Sequence, residues 1–199
     1  MYKDIQRYWS EFISAMRDMP LVLLEQAADM LMACQHRDST IFLLGNGGSA
    51  ATASHFACDL AKGTRSQGIP TFRVISLNDN VPLLTAWAND TSYERVFAEQ
   101  FVSLARVGDV AILISASGNS PNVLAVAREA RQRGILVIAL TGQNGGLLAP
   151  LADLAICVPA CSIEQIEDAH LVIAHSLCVA LRQRLCRRAT LISLAEHSL

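Results

Sequence analysis

Short apolar runs alternate with longer segments of helical periodicity from residue 40 onwards. The runs are rich in branched side chains and are typical of strands buried on both faces of a parallel sheet. Five strands are predicted: Ile41–Leu44, Phe72–Leu77, Val110–Ser115, Leu136–Thr141 and Leu154–Val158. Helices are predicted between and after them, over Ser49–Lys62, Val81–Ala88, Tyr93–Ala105, Pro121–Arg133 and Gly146–Leu151, with a long helix from Ser162. Because right-handed crossovers place helices on both faces of such a sheet, the alternation predicts a three-layer α-β-α fold.

Two further helices are predicted before the first strand. Apolar residues recur at three- and four-residue steps over 2–19, and Pro20 restarts the pattern for a second helix over 21–34. We expect a single domain with three parts: a helical cover or oligomer contact over 1–37, an α/β core over 38–188 and a tail over 189–199. Leu191 and Leu194 indicate a short tail helix that packs on a neighbour.

Composition favours an oligomer of globular subunits. Of the 199 residues 52% are hydrophobic and the mean hydropathy is +0.32, yet no apolar run is long enough to span a membrane. A net charge of −2 gives no electrostatic basis for binding nucleic acid or an anionic membrane. The charged N-terminus indicates no signal peptide, and six cysteines without a C-x-x-C pair indicate buried, reduced thiols. We therefore expect a cytoplasmic protein.

Polar, glycine-containing segments follow two of the predicted strands. Gly45-Asn-Gly-Gly-Ser49 follows the first, and its glycines let the backbone approach a ligand; Ser115-Ala-Ser-Gly-Asn-Ser120 follows the third. Three hydroxyls and free N–H groups at a helix start suit a phosphate, although either segment alone is compatible with an ordinary turn. Neither segment matches a nucleotide-binding motif, so we expect no nucleotide cofactor.

Ionisable side chains share faces on two of the predicted helices. His55 and Asp59 are four residues apart, and Glu164, Glu167, Asp168 and His175 follow one side of the last helix. Such a set suits proton transfer or a divalent metal. The other histidines are assigned to packing: His36, His170 and His197.

The motifs in combination resemble the SIS (sugar isomerase) domain family, and within it the phosphoheptose isomerases. They are Leu44-Gly-Asn-Gly-Gly-Ser-Ala-Ala, Ser54-His-Phe-Ala, Ala88-Asn-Asp90, Gly108-Asp-Val, Ile114-Ser-x-Ser-Gly-Asn-Ser-Pro-Asn-Val, Leu140-Thr-Gly-x-x-Gly-Gly and Ala169-His-x-x-x-x-His175. The resemblance implies a flavodoxin-like five-stranded sheet and a homotetramer with active sites between subunits. It also implies interconversion of sedoheptulose 7-phosphate and D-glycero-D-manno-heptose 7-phosphate, on the route to nucleotide-activated heptose for surface polysaccharide.

The resemblance also implies roles for individual residues. Ser115, Ser117 and Ser120 match phosphate-binding serines, and Asn46, Ser49 and Asp90 match positions that contact the sugar; Gly47 and Glu164 complete the expected substrate contacts. His55 matches a zinc ligand, and His175 matches a catalytic histidine that is also a ligand. Three positions depart from the family pattern: Asp59 replaces a glutamate base, Glu167 replaces a glutamine ligand and Glu164 replaces an aspartate.

These departures lead to a hypothesis about the site. Asp59 and Glu167, with His55 and His175, preserve a set of two imidazoles and two oxygen donors that binds a divalent metal, most simply zinc, while the acid–base role is shared with or moved to Glu167. One alternative is a non-catalytic SIS protein that senses a sugar phosphate or binds a replication initiator. A different sugar phosphate, such as a ketohexose phosphate, also remains open.

Overall fold

A five-stranded parallel sheet forms the centre of the molecule in the computed structural model, which describes residues 2–196. The strands are β1 (Thr40–Gly45), β2 (Arg73–Ser76), β3 (Val110–Ser115), β4 (Leu136–Gly142) and β5 (Leu154–Val158), in the order β2-β1-β3-β4-β5. This is the predicted flavodoxin-like, three-layer fold, which is confirmed, and all five predicted strands are present.

Seven α-helices surround the sheet within the described residues. They are α1 (Tyr2–Arg17), α2 (Leu21–His36), α3 (Gly48–Cys58), α4 (Val81–Asp90), α5 (Ala98–Leu104), α6 (Pro121–Gln132) and α7 (Ile163–Glu196). The helix predicted after β1 changes at Asp59 into a π-helical turn, Asp59–Gly63. The prediction of a helix was wrong at residues 93–97, which form a turn that puts Val96 and Phe97 into the core. It was also wrong at residues 146–148, since only Ala149–Leu151 is helical there, as a 3₁₀ turn.

The end of the chain also differs from the prediction. α7 contains 34 residues and runs through the predicted tail, because no glycine or proline interrupts it. Leu191 and Leu194 therefore lie on this long helix, largely exposed, and not on a separate short one. Residues 197–199 lie outside the described part.

The core has two halves, one on each face of the sheet. Successive residues of β1 point to opposite faces, so Ile41 and Leu43 pack on the side of α2, α3 and α7, and Phe42 and Leu44 on the side of α5 and α6. The predicted apolar face of α1 divides: Phe12 and Met16 pack against the first half, whereas Ile5 and Trp9 are 62% and 58% exposed.

Several minor predictions can be compared with the structure. All six cysteines are free thiols, but Cys58, Cys161 and Cys186 are exposed, so the prediction of burial was wrong for them. His170 is fully buried as predicted, whereas the prediction was wrong for His36, which is exposed at the end of α2. His197 lies outside the described residues. Within residues 2–196 no helix combines the length and apolarity needed to cross a membrane.

Candidate active site

The strand order reverses between β1 and β3, and the candidate site lies where these two strands end. Gly45 of β1 pairs with Ile114 of β3, so the glycine turn after β1 and the serine loop after β3 leave the sheet side by side. In an open parallel sheet this reversal creates the crevice in which ligands bind.

The glycine turn is held to the sheet by Asn78, which follows β2. Its side-chain amide donates to the Gly45 carbonyl at 2.8 Å and accepts from the Gly45 N–H at 3.2 Å. The chain then turns through Gly47, whose φ of +55° favours glycine, and enters α3 at Gly48. Ser49 lies in the first turn of α3 and is buried. The turn is thus rigidly placed with its backbone beside the crevice.

The serine loop carries the three predicted phosphate-binding hydroxyls. Ser115 Oγ and Ser120 Oγ are 3.2 Å apart, and Ser117 Oγ accepts a hydrogen bond from the Asn119 N–H at 3.2 Å. Ser120 precedes Pro121 at the start of α6, and its hydroxyl makes no capping bond to that helix. The loop therefore presents three hydroxyls at the start of α6, an arrangement that suits a phosphate.

A second loop, after β4, braces the serine loop by backbone contacts. The Gly142 N–H donates to the Ala116 carbonyl at 2.9 Å, and the Leu148 N–H donates to the Gly118 carbonyl at 3.0 Å. Gly118 has a φ of +64°, and a Cβ there would lie 2.2 Å from the Gly145 carbonyl oxygen. The shape of the serine loop therefore depends on glycine at this contact.

Three ionisable side chains of the predicted set meet between α3 and α7. His55 Nε2 lies 2.9 Å from His175 Nε2, and Asp59 Oδ2 lies 3.5 Å from His55 Nε2 and 3.6 Å from His175 Nε2. The π-helical turn begins at Asp59, so this carboxylate lies at a change in helix geometry of a kind that is frequent at functional sites. The imidazoles are about half exposed.

The spacing of these atoms fits a divalent metal. The three ligand atoms lie within 4.8 Å of one another, and their mutual distances leave a point about 2 Å from all three, close to the length of a zinc bond to imidazole or carboxylate. Three protein ligands would leave a fourth position for substrate or water. The thiol of Cys178 on α7 is buried, and its pKa is raised to about 12 by burial and by the charge of Asp59.

Glu167, the fourth member of the predicted metal set, does not join this cluster. Its carboxylate lies against the start of α3, where a Cβ on Gly48 would come within 2.3 Å of Oε2. Along α3, Gly48 comes two turns before His55, and along α7, Glu167 comes two turns before His175. Because Gly48 lies against Glu167 and His55 against His175, the two helices run in the same direction. This packing places Glu167 beside the glycine turn.

Two predicted substrate residues make only local hydrogen bonds among the described residues. Asp90 is exposed at the end of α4, and its carboxylate accepts a hydrogen bond only from Asn89 among the described residues. Glu164 is exposed in the first turn of α7, where hydrogen bonds from its own backbone N–H and from the Ser162 hydroxyl lower its pKa. Within the described part of the chain, neither carboxylate hydrogen-bonds to the glycine turn, the serine loop or the His-Asp-His cluster.

The structure also adds residues that the sequence did not single out. The side-chain amide of Asn122, in the first turn of α6, pairs with that of Asn46, and the Tyr93 hydroxyl donates to Asn46 Oδ1 at 3.1 Å. Asn122 stands in the Ser-Pro-Asn segment that follows the serine loop, which was the available signal. No comparable signal pointed to Tyr93.

Comparisons with known proteins point to one family. The model of the SIS domain matches residues 2–142. Phosphoheptose isomerases from Pelobacter propionicus and Mycobacterium tuberculosis are 38% and 43% identical over 162 and 159 residues, covering 81% and 78% of this chain and 85% and 81% of theirs. The solved phosphoheptose isomerases of Neisseria gonorrhoeae and Francisella tularensis are similar in structure, each with a TM-score of 0.85, at 32% and 30% identity, over 92% of this chain and 98% of each of theirs.

Proposed function

The chain belongs to the SIS domain family, and we propose that it is a phosphoheptose isomerase that interconverts sedoheptulose 7-phosphate and D-glycero-D-manno-heptose 7-phosphate. The observation that carries this proposal is that a serine loop and a glycine turn flank one crevice, while a His-Asp-His cluster lies between α7 and the helix that starts at the glycine turn. The first suits the phosphate, the second the sugar and the third acid–base or metal chemistry. The product would enter nucleotide-activated heptose synthesis in the cytoplasm.

In this proposal the phosphate binds at the serine loop. Ser115, Ser117 and Ser120 donate their hydroxyl hydrogens to its oxygens, and the N-terminus of α6 favours its charge. The phosphate lies at the far end of the substrate from the reacting carbons. Its binding energy can therefore orient those carbons, which makes weakly basic side chains effective.

The chemical step moves one proton between neighbouring carbons. A carboxylate removes a proton from C1 of the ketose, the C1–H electron pair forms the carbon–carbon double bond of a cis-enediol, and the carbonyl oxygen at C2 gains a proton. Return of a proton to C2 and loss of the proton from the C1 oxygen give the aldose. We assign the proton movement between the oxygens to His175, since an imidazole both accepts and donates near neutral pH.

Two carboxylates are available for the carbon-bound proton. Asp59 Oδ2 is engaged by both imidazoles, whereas Glu167 makes no hydrogen bond or ion pair with any residue that the structure describes. Glu167 also lies against the turn that carries Asn46 and Ser49, the proposed sugar contacts. We therefore assign the base to Glu167 and an orienting role to Asp59.

The cluster of His55, Asp59 and His175 would hold a divalent metal, and we propose zinc, which two imidazoles and a carboxylate bind in other catalytic sites. When bound, such an ion polarises a carbonyl oxygen and so favours the enediol. The roles assigned to Glu167, Asp59 and His175 do not depend on a bound metal, because each role is inferred from the position of the side chain.

We further propose that the enzyme is a homo-oligomer, most simply a tetramer, with a neighbouring subunit closing each crevice. The support is the exposure of apolar side chains on α1, of the cluster imidazoles, and of α4, of which no residue is buried. Asp90 and Glu164 would then contact sugar across the subunit boundary. Light scattering after size exclusion tests this: a monomer at micromolar concentration would contradict it.

The test of the activity is conversion of sedoheptulose 7-phosphate, followed by aldose formation, in the parent protein and in the variants E167Q, D59N and H175Q. We expect turnover in the parent, its loss in E167Q and H175Q, and a smaller loss in D59N. Metal analysis of the same preparations shows whether D59N and H175Q lower occupancy while E167Q does not. Thermal stabilisation by inorganic phosphate without any turnover in the parent would instead indicate a sugar-phosphate sensor.

A further inference from the structure

We infer that Asn122 is a positioning residue that fixes the amide of Asn46 with one N–H directed at the sugar, and so couples the glycine turn to the phosphate end of the site. This inference rests on the proposed function for the identity of the ligand. Its geometric basis is a chain of hydrogen bonds in which each bond determines the direction of the next.

The chain of bonds begins at a backbone group. The Val123 N–H, which can only donate, is shared between the Ser120 carbonyl at 3.1 Å and Asn122 Oδ1 at 3.0 Å. A reversed Asn122 amide would set its Nδ2 hydrogens against this donor, so the oxygen must lie on that side. The same oxygen accepts from Asn46 Nδ2 at 2.8 Å, and Asn122 Nδ2 donates back to Asn46 Oδ1 at 2.9 Å. The orientation of the Asn46 amide is therefore set by the backbone of α6.

Counting donors and acceptors shows what Asn46 has left for a ligand. Its Oδ1 accepts from Asn122 Nδ2 and from the Tyr93 hydroxyl, which uses both lone pairs, and one Nδ2 hydrogen is used by Asn122. Among the residues that the structure describes, the second Nδ2 hydrogen has no acceptor. Asn46 can thus offer a sugar only a donor, directed at a hydroxyl or carbonyl oxygen.

Asn122 itself is 2% exposed and cannot reach a ligand, so its effect must pass through Asn46. It is the second residue of α6 and comes directly after Pro121, which follows the phosphate serine Ser120. Asn46 follows β1, so the amide pair bridges the two strand ends between which the order of the sheet reverses. A phosphate held at the serine loop therefore lies at a fixed distance from the N–H that meets the sugar.

The sharpest variant is N122D. The carboxylate keeps the size of the side chain and the bond from Val123, but it replaces the Nδ2 donor with an oxygen. Whichever way the Asn46 amide turns, its Oδ1 then faces one of the two carboxylate oxygens. The two oxygens repel each other, because they lie at about the separation of the 2.9 Å hydrogen bond that they replace. The control is N80D, the same change at the N-cap of α4, where a carboxylate still accepts from the Leu83 N–H.

We expect N122D to lower kcat/KM for the sugar phosphate by about 100-fold, the cost typical of a misplacement of about 1 Å. The affinity for inorganic phosphate should change by less than about 3-fold in N122L, which removes the amide without adding charge and touches no phosphate-binding hydroxyl. In N122D the new carboxylate lies in the first turn of α6 and should itself weaken phosphate binding. N80D should match the parent in both measurements. The double variant N46A/N122D should be no worse than N46A, because Asn122 acts through Asn46. N122L should lower kcat/KM to a similar extent as N122D.

Equal loss of phosphate affinity and kcat/KM in N122L would overturn the inference, since Asn122 would then only support the fold of α6. The inference would also be overturned if the losses of kcat/KM in N46A and N122D multiplied in the double variant. The same holds if N122D were as active as N80D. If the parent binds the sugar phosphate but does not convert it, the activity proposal fails. The role of Asn122 can still be tested in that case, by comparing the ratio of sugar-phosphate affinity to inorganic-phosphate affinity between N122D and the parent.

Discussion

Substitution of Gly118 by alanine isolates the contact that shapes the proposed phosphate loop. Gly118 has a φ of +64°, and an added Cβ would lie 2.2 Å from the Gly145 carbonyl oxygen and 2.7 Å from its carbon. Both neighbours are backbone atoms, so a side-chain rotation cannot relieve the contact. An ordinary contact begins at 3.4 Å, so the two loops must separate by about 1 Å.

The chain provides a matched control in Gly134, at the end of α6. Its φ is +66°, but a Cβ there would meet nothing within 4 Å. Alanine in the left-handed region costs about 1–2 kcal/mol at either position. We expect G134A to lose only this amount, whereas G118A loses it together with the cost of separating the loops.

The measurements are unfolding in urea and steady-state kinetics with sedoheptulose 7-phosphate. G134A should keep the parent kcat/KM, and G118A should lose about 100-fold, equivalent to about 2.7 kcal/mol of transition-state stabilisation, with weaker binding of inorganic phosphate. Equal stability losses and equal kinetics in the two variants would refute the reasoning, because the backbone contact would then have no effect on the loop.

Two further predictions concern histidines. Zinc at 100 times its dissociation constant should stabilise the parent by about 2.7 kcal/mol and H175Q by much less; equal stabilisation would exclude the cluster as the binding site. Burial lowers the pKa of His170 from 6.5 to about 4, so the unfolded chain binds the extra proton and stability falls as the pH drops from about 6.5 to 4, by at most about 3 kcal/mol. H170Q should remove that part of the pH dependence measured by urea unfolding, whereas the same change at exposed His36 should leave it intact; identical pH profiles for parent and H170Q would contradict the assignment.

Local sequence was sufficient for the five strands, for most of the helices and for the sheet edge at which the crevice lies. Apolar runs such as Val110–Ser115 identify buried strands because backbone geometry and burial act on neighbouring residues. Parallel strands end at one edge of the sheet, which is why the segments after Gly45 and Ser115 could be assigned to one site. The four-residue step from His55 to Asp59 likewise predicted that the two would meet on one helix face, and they lie 3.5 Å apart.

Only the tertiary structure decided how α3 and α7 align, because that alignment depends on packing between segments about 120 residues apart in the chain. It brought His175 to His55 and placed Glu167 against Gly48, away from the cluster. It also paired Asn122 with Asn46, since an amide has no periodic signature and gains a partner only when two loops meet. The sequence by itself determined which chemical groups are present and the edge of the sheet where they gather; non-local packing determined which of them touch.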